Sequence, residues 1–243
     1  MIDQQECLNQ VHQLLRSTLS KQEPVRVLEA GGGSFSHIKM DKPAHISVID
    51  ISPEQLSRNT YANERILGDL EVSDTVRGPY DLIVCFDVLE HLRHPDLALT
   101  HLMTALDPGG FLVIGCPNRS STKGVVTRFT PHSFHVWYYK NIRGIPEAGE
   151  PGHAPFETFL SREMDFEIVQ QQLKAAGLLV PLAGRYEGPA AFELYRKWPI
   201  LFYFYYFPAT FMRLFGQQFE TLAATDWIIV AQKPACANVD GQT

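Results

Sequence analysis

The sequence predicts an open, doubly wound α/β sheet with helices on both faces, and three observations carry that prediction. Short apolar runs alternate with helical patterns along most of the 243 residues. A glycine turn, Gly31-Gly32-Gly33, directly follows the first apolar run. Acids close three successive runs, at Glu29, Asp50 and Asp69. In a parallel sheet the strand ends share one edge, and the ligand crevice forms there.

In chain order, residues 3–19 place Leu8, Val11, Leu14, Leu15 and Leu19 at helical spacing. The N-terminal segment 1–23 is therefore expected to hold an amphipathic helix on the sheet or over the ligand mouth. Val25, Val27 and Leu28 form a buried strand that ends at Glu29. The glycines let the backbone turn sharply and approach a ligand, because no Cβ intervenes. Ser34 and Ser36 are expected to open a short helix running to about Met40, with its free N–H groups at the crevice. Residues 45–50 are the second strand. Ser52-Pro53-Glu54 is a helix start, with a capping hydroxyl, proline at the first helical position and an acid in the first turn.

Residues 66–69 form a short third strand and 82–86 a fourth, buried one. Asp87 and Glu90 begin a helix expected to reach about Leu106. Pro108-Gly109-Gly110 is a turn before a fifth strand at 111–116. Residues 117–160 mix Pro, Gly, His and aromatics without a clean period, which predicts a long irregular segment of the functional or mobile kind. A helix over 162–176 ends at Gly177. A sixth strand covers 178–183, an aromatic insertion covers 190–222, and 226–233 is the last strand. The tail from Pro234 is polar and expected to fray. The whole reads as one domain.

Net charge is −6 and the isoelectric point is near 5.8, so a nucleic-acid backbone is not expected as a main partner. The four cysteines lack CxxC spacing, and Cys85 and Cys116 lie inside apolar runs. Reduced, buried thiols in a cytoplasm are expected rather than disulfides or zinc. The polar, acidic start MIDQQECLNQ does not read as a signal peptide. No GK[ST] phosphate loop is present, which disfavours ATP.

Asp50 follows the glycine turn at the interval expected of a ribose-binding acid, and a carboxylate can accept from both ribose hydroxyls. Any one of the three acids alone reads equally as a solvated loop residue; three in register after a glycine turn read as a site. The segments VLEAGGGSFS, VIDISPEQL, ILGDLE, YDLIVCFDVLEHL and LDPGGFLVIGCPN, closed by WIIVAQKP, resemble the class I S-adenosylmethionine-dependent methyltransferases. The likeness spans 25 to about 117 plus the last strand. Dehydrogenases lack the DVLEH and PGG…P segments in this order.

The resemblance implies a Rossmann-like seven-stranded sheet, mostly parallel with the last strand antiparallel, and S-adenosyl-L-methionine as cofactor. It implies that Gly31 and Gly33 approach the methionine part and that Glu29 orients it. Asp50 holds the ribose, Ile51 packs on the adenine, and Asp69 with Leu70 meets the adenine amino group. Phe86, Asp87 and His91 border the methyl donor. Phe35 stands where the family has its third glycine.

On the acceptor side, His132 and His135 in FTPHSFHVWYYK are candidate general bases, since an imidazole near neutral pKa can remove a hydroxyl proton. Their bland alternative is a loop histidine bonded to backbone. His91 reads as a cap or as packing against the cofactor. His153 with Glu157 is a second candidate base pair. Trp137, Tyr138 and Tyr139 line an apolar acceptor pocket or simply pack the lid. No HxxEH-type spacing supports zinc, so no metal is expected. The run 198–215 contains Pro199 and Pro208 and is shorter than the ~20 apolar residues a membrane span needs. It reads as a cover or dimer interface, a peripheral membrane contact flanked by Arg185, Arg196, Lys197 and Arg213, or a wall for a greasy acceptor.

The expected activity is methyl transfer to a small or lipid-like acceptor, by O-methylation with a histidine base. The alternatives are C- or N-methylation, a non-catalytic cofactor-binding accessory protein, and a nicotinamide dehydrogenase on a similar sheet.

Overall fold

The computed structural model describes residues 4–19, 23–34, 36, 38, 42–188, 196, 199, 200, 203, 207 and 224–235. Its centre is a seven-stranded sheet in the order β3-β2-β1-β4-β5-β7-β6. The strands are β1 (Val25–Ala30), β2 (Ala44–Asp50), β3 (Glu64–Leu67), β4 (Tyr80–Phe86), β5 (Leu106–Pro117), β6 (Leu179–Tyr186) and β7 (Asp226–Gln232). β1 to β5 pair in parallel, and β7 is antiparallel to both neighbours. The expected doubly wound, Rossmann-like sheet with an antiparallel last strand is what forms.

All seven residues of β4 are buried, as a central parallel strand covered on both faces requires. Its side chains alternate between two cores. Leu82, Val84 and Phe86 join one with Val11, Leu15, Val27 and Ile228, while Ile83 and Cys85 join the other with Leu28, Ile49, Leu99 and Trp227. Helix α1 (Gln4–Thr18) covers the first core through Cys7, Val11 and Leu15, spaced four apart. The chain winds from β1 out to β3 and then from β4 the other way, so the switch point lies between β1 and β4.

Ser52 caps α2 (Pro53–Arg58), its hydroxyl accepting from the Gln55 N–H at 3.2 Å, as the sequence indicates. Six element expectations are corrected. After the glycine turn, none of the described residues 31–34, 36 and 38 is helical; the remainder of the helix expected to Met40 lies outside the described residues. The helix expected from Asp87 is a short 3-10 turn, Leu89–His91, followed by α3 (Pro95–Ala105). Asp87 sits at φ +54 and cannot continue a right-handed turn, and Pro95 restarts the helix where its missing N–H costs nothing. β5 begins at Leu106, not 111, because the register shifts between Tyr80 and Leu82 and absorbs Gly109 at φ +84. Residues 162–176 split into a 3-10 turn, Arg162–Met164, and α6 (Phe166–Ala175); β6 runs on to Tyr186.

The sixth correction is the largest. The span 117–160 is not irregular throughout: it contains α4 (Thr122–Phe129) and α5 (His132–Asn141). The aromatic insertion 190–222, with the run 198–215, lies almost entirely outside the described residues. Of it Arg196, Pro199, Ile200, Tyr203 and Phe207 are helical and exposed. Among the described residues, no helix is long and apolar enough to cross a membrane.

Candidate functional site

The parallel strands bring their carboxyl ends to one rim. Glu29 lies one residue before the end of β1, Asp50 ends β2, and Asp69 follows β3 by two residues. The Gly31 N–H donates to the Ile49 carbonyl at 2.7 Å, which folds the turn over the end of β2. Gly31 and Gly33 take φ +68 and +48, the left-handed region that favours glycine. A Cβ on Gly31 would stand 2.3 Å from Val88 Cγ2; one on Gly33 would stand 2.9 Å from Gln55 Oε1 and 3.4 Å from Asp50 Oδ2.

Glu29 is 3% exposed, and its carboxylate accepts from the Ser36 and Tyr61 hydroxyls, the latter at 2.7 Å. Burial raises its pKa, and these two bonds offset only part of that. Asp50 is also raised by burial, although it accepts backbone N–H bonds from Ser52, Gly33 and Ile51. Next to this half-buried acid, Ile51 is 71% exposed. Asp69 accepts from the Glu71 N–H at 2.8 Å, and Leu70 is buried with its carbonyl 2.8 Å from His101 Nδ1.

A second group of charges gathers where β4, β5, β6 and β7 meet the same rim. Phe86 is buried, while Asp87 is exposed and left-handed, its N–H donating to the Gly115 carbonyl at 2.9 Å. The Glu90 carboxyl is buried and pushed up to about 8, by desolvation first and the Asp87 charge second. The Cys116 thiol donates to it at 3.3 Å. Lys123, in the first turn of α4, lies 3.6 Å from Asp226 Oδ1. Burial lowers this ammonium, but Asp226, Asp87 and Glu90 outweigh it and hold the group above its ordinary value. Pro117, Asp226 and Tyr186 stand in one row across β5, β7 and β6. The Tyr186 phenol is driven upward by burial and then by Asp226 and Asp87.

A strap from the end of the α4–α5 region crosses between the two groups. The Gly152 carbonyl accepts from Gln55 Nε2 at 2.8 Å and from Arg58, and His153 Nε2 lies 2.8 Å from Arg58 Nη1. Farther on, the Glu157 carbonyl meets His91 Nδ1 at 2.6 Å, and the Phe159 N–H donates to the Glu90 carbonyl at 2.8 Å. Phe156 packs edge-on to His91. Burial holds the His91 imidazole below its usual pKa, despite the Glu157 bond and the Asp87 charge.

The residues expected to hold the cofactor thus line one rim: Glu29, Gly31, Gly33, Asp50, Ile51, Asp69 and Leu70 at one end, Phe86, Asp87 and His91 at the other. His132 and His135 lie instead on α5. His135 Nε2 is 2.8 Å from Thr130 Oγ1, and among the described residues no contact joins either histidine to Asp87, Glu90 or Asp226. His153 and Glu157 do not pair with each other; each anchors a different end of the strap. Among the described residues no group of three His, Cys, Asp or Glu is placed to hold a metal ion.

Sequence reasoning missed Tyr61, Gln55, Arg58, Lys123, Tyr186 and Asp226. Asp226 had a signal: an antiparallel last strand starts at the rim where its parallel neighbours end. Tyr61, Arg58 and Lys123 sit on helices or loops with no motif around them, Tyr186 ends β6, and Gln55 lies within VIDISPEQL, where the helix-start pattern says nothing of its contact to residue 152.

The rim suits S-adenosylmethionine: the glycine turn is a cradle that a Cβ at Gly31 or Gly33 would fill, a large apolar side chain is exposed next to a ribose-type acid, and His153 Nδ1 is buried without a hydrogen-bond partner. Fold and rim together define a class I S-adenosylmethionine-dependent methyltransferase. A family model described as a methyltransferase domain matches residues 3–170, and the chain belongs to that family. Ubiquinone biosynthesis O-methyltransferase of Xylella fastidiosa (strain 9a5c) is 30% identical over 115 residues, which are 42% of this chain and 47% of that protein. The chain spans about half the length of the curated relatives it matches.

Two solved structures share the fold. Magnesium protoporphyrin IX methyltransferase (ChlM) from Synechocystis PCC 6803 with bound SAH is 17% identical, with a TM-score of 0.53 over 94% of this chain and 83% of that one. The [4+2]-cyclase SpnF is 15% identical, also with a TM-score of 0.53, over 96% and 83%.

Proposed function

We propose that this chain transfers the methyl group of S-adenosylmethionine to an oxygen of a small or lipid-like acceptor. The observation that carries the reading is the convergence of buried Glu29, Asp50 and the glycine turn beside exposed Ile51. When bound, S-adenosylmethionine supplies a sulfonium methyl that is already activated, so the protein contributes alignment and a dry pocket. In this reading Asp50 accepts from the ribose hydroxyls and Ile51 packs on the adenine. Asp69 and Leu70 meet the adenine edge. Glu29 orients the methionine part against Gly31 and Gly33. Phe86, Asp87 and His91 border the methyl end.

Oxygen as the acceptor atom draws support from the name of the Xylella relative, and a lipid-like acceptor from the aromatic character of 117–160 and 198–215. His132 and His135 are proposed as the general base, taking the acceptor's hydroxyl proton. A second base is favoured by one observation: Glu90 is buried close to Asp87 and pushed up to about 8, in the range where a carboxylate accepts protons efficiently. The fold also carries a cyclase, so fold alone does not decide the reaction.

Calorimetry with S-adenosylmethionine and S-adenosylhomocysteine tests the cofactor half, with Asp50→Asn expected to weaken both by about tenfold or more. Absence of binding by the parent at millimolar ligand overturns it. Turnover of a panel of small and lipid-like hydroxyl-bearing acceptors by His132→Ala, His135→Ala and Glu90→Gln then separates the two base assignments.

A further inference from the structure

α5 is a helix with no buried residue. A helix in a folded domain ordinarily hides one apolar face, and most of its stability comes from that packing. Here Phe134, Trp137 and Tyr138 fall at i, i+3 and i+4 on one side and remain 45%, 51% and 36% exposed. Phe134 and Trp137 stack on each other, with centroids 5.8 Å apart, rather than on the sheet. Neighbouring α4 adds Phe129, 78% exposed, and Val125; Ile142, just past α5, is also exposed.

The charge on this hairpin runs against the rest of the molecule. The chain carries −6 overall, yet residues 118–146 contain no Asp or Glu and five Lys or Arg. Two of these cations point inward, Arg119 to Asp165 and Lys123 to Asp226. The other three are Arg128, Lys140 and Arg143, all exposed, and among the described residues none has a carboxylate partner. Arg128 lies over the Phe129 ring and Arg143 over that of Tyr139, so cations and aromatics are interleaved. An aromatic face with Lys and Arg on a long apolar stem is the chemistry of an interfacial helix: rings enter the headgroup boundary and cations meet anionic headgroups.

We propose that the α4–α5 hairpin docks this protein onto an anionic lipid surface. The occupant follows from the charge: an acid-free, cationic, aromatic face on an acidic protein is complementary to an anionic layer. A second acidic copy of the chain would meet it less well, having its own hairpin cationic. The root of the hairpin is Lys123, at the rim beside Asp226 and Asp87, so docking would set the methyl end of the rim next to the lipid. The proposal stands on the hairpin alone and does not depend on which atom accepts a methyl group.

The test is vesicle flotation of the full chain with pure phosphatidylcholine and with phosphatidylglycerol-containing vesicles, at two salt concentrations. The parent should bind the anionic vesicles preferentially, and binding should weaken with salt. Lys140→Glu with Arg143→Glu should lower anionic binding by about tenfold or more, since each surface cation is worth about fivefold in partitioning. Phe134→Ser with Trp137→Ser should lower binding to either vesicle. S-adenosylhomocysteine affinity and melting temperature, measured on each variant, show that the rim and the fold survive; the charge pair is exposed and serves if the aromatic pair misfolds.

Failure of the parent to bind anionic vesicles overturns the proposal. So does parent-like binding by both double variants, as does loss of binding only in an Ile200→Ser, Tyr203→Ser, Phe207→Ser chain. A parent dimer that the aromatic variants convert to monomer, with no vesicle binding, assigns the face to a second copy and overturns it equally.

Discussion

Gly31 and Gly33 both need the left-handed backbone, but what stands opposite them differs. A Cβ on Gly31 would collide with Val88, a β-branched side chain buried against the sheet. On Gly33 it would meet the end of Gln55, which can swing away. Gly33→Ala should therefore cost about 1–2 kcal/mol, the left-handed penalty alone. Gly31→Ala should cost roughly 1–3 kcal/mol more, because Val88 must move. Thermal melts and S-adenosylhomocysteine titrations of the pair check the ranking. Glu90 gives a pH prediction. Burial, with the Asp87 charge behind it, pushes its folded carboxyl up to about 8, against about 4.3 for an unfolded glutamate. A raised group favours folding fully below the unfolded value, and that contribution is lost as pH rises through the folded one. Glu90→Gln should thus melt with the parent near pH 4 and above it near pH 9, by roughly 2–4 °C for each kcal/mol recovered. A variant that melts lower than the parent at the alkaline end would contradict the burial argument.

Among the elements, the strap at 149–160 is fastened at both ends of the rim by polar contacts to α2 and to the 3-10 turn at 89–91. Gln55 and Arg58 both donate to one carbonyl, that of Gly152. The double variant Gln55→Ala, Arg58→Ala should speed release of S-adenosylhomocysteine by about tenfold, two hydrogen bonds' worth, and stopped-flow displacement reads it directly. No change in release would show that the strap does not gate the cofactor.

Strands and helices differed in how legible they were. The strands showed in the sequence because the stretches 82–86 of β4, 111–116 of β5 and 227–231 of β7 are buried on both faces and read as continuous apolar runs. The rim acids showed because parallel strands end together. α4 did not show: Gly124 and four β-branched residues among eight give it poor intrinsic helicity, and Ser121 starts it by accepting from the Gly124 N–H at 3.0 Å. α5 did not show because the unbroken run Val136-Trp137-Tyr138-Tyr139 puts apolar and aromatic residues on every side of it and blurs the period of Phe134, Trp137 and Tyr138. The strap's anchors at Gln55 and Arg58 were invisible for another reason: they are nearly a hundred residues from the carbonyl they hold.

For the molecule as a whole, the two edges of the sheet do different work. The carboxyl edge carries acids that burial makes costly, Glu29, Asp50 and Glu90, all raised in pKa. The amino edge carries an acid that its surroundings favour. Arg26 forks onto Asp81 at 2.7 Å and 3.0 Å, and its Nη2 reaches Asp107 at 2.6 Å. Burial pushes the Asp81 carboxyl up, but the Arg26 side-chain and backbone donors outweigh that and hold it below the ordinary range. A depressed carboxyl contributes stability above its unfolded pKa and loses it as pH falls through the folded one. Arg26→Met should cost about 1–3 kcal/mol at neutral pH, less than a fully buried pair because the arginine is 36% exposed, and the deficit should close toward pH 3. Its affinity for S-adenosylhomocysteine should be that of the parent. Asp50→Asn should do the reverse, sparing the melt, since the amide still accepts from Ser52 and a half-buried charge is gone, while weakening the ligand. Melting curves and titrations on the same two proteins give four numbers, and a ligand defect in Arg26→Met equal to that in Asp50→Asn would show that the two edges are not separable.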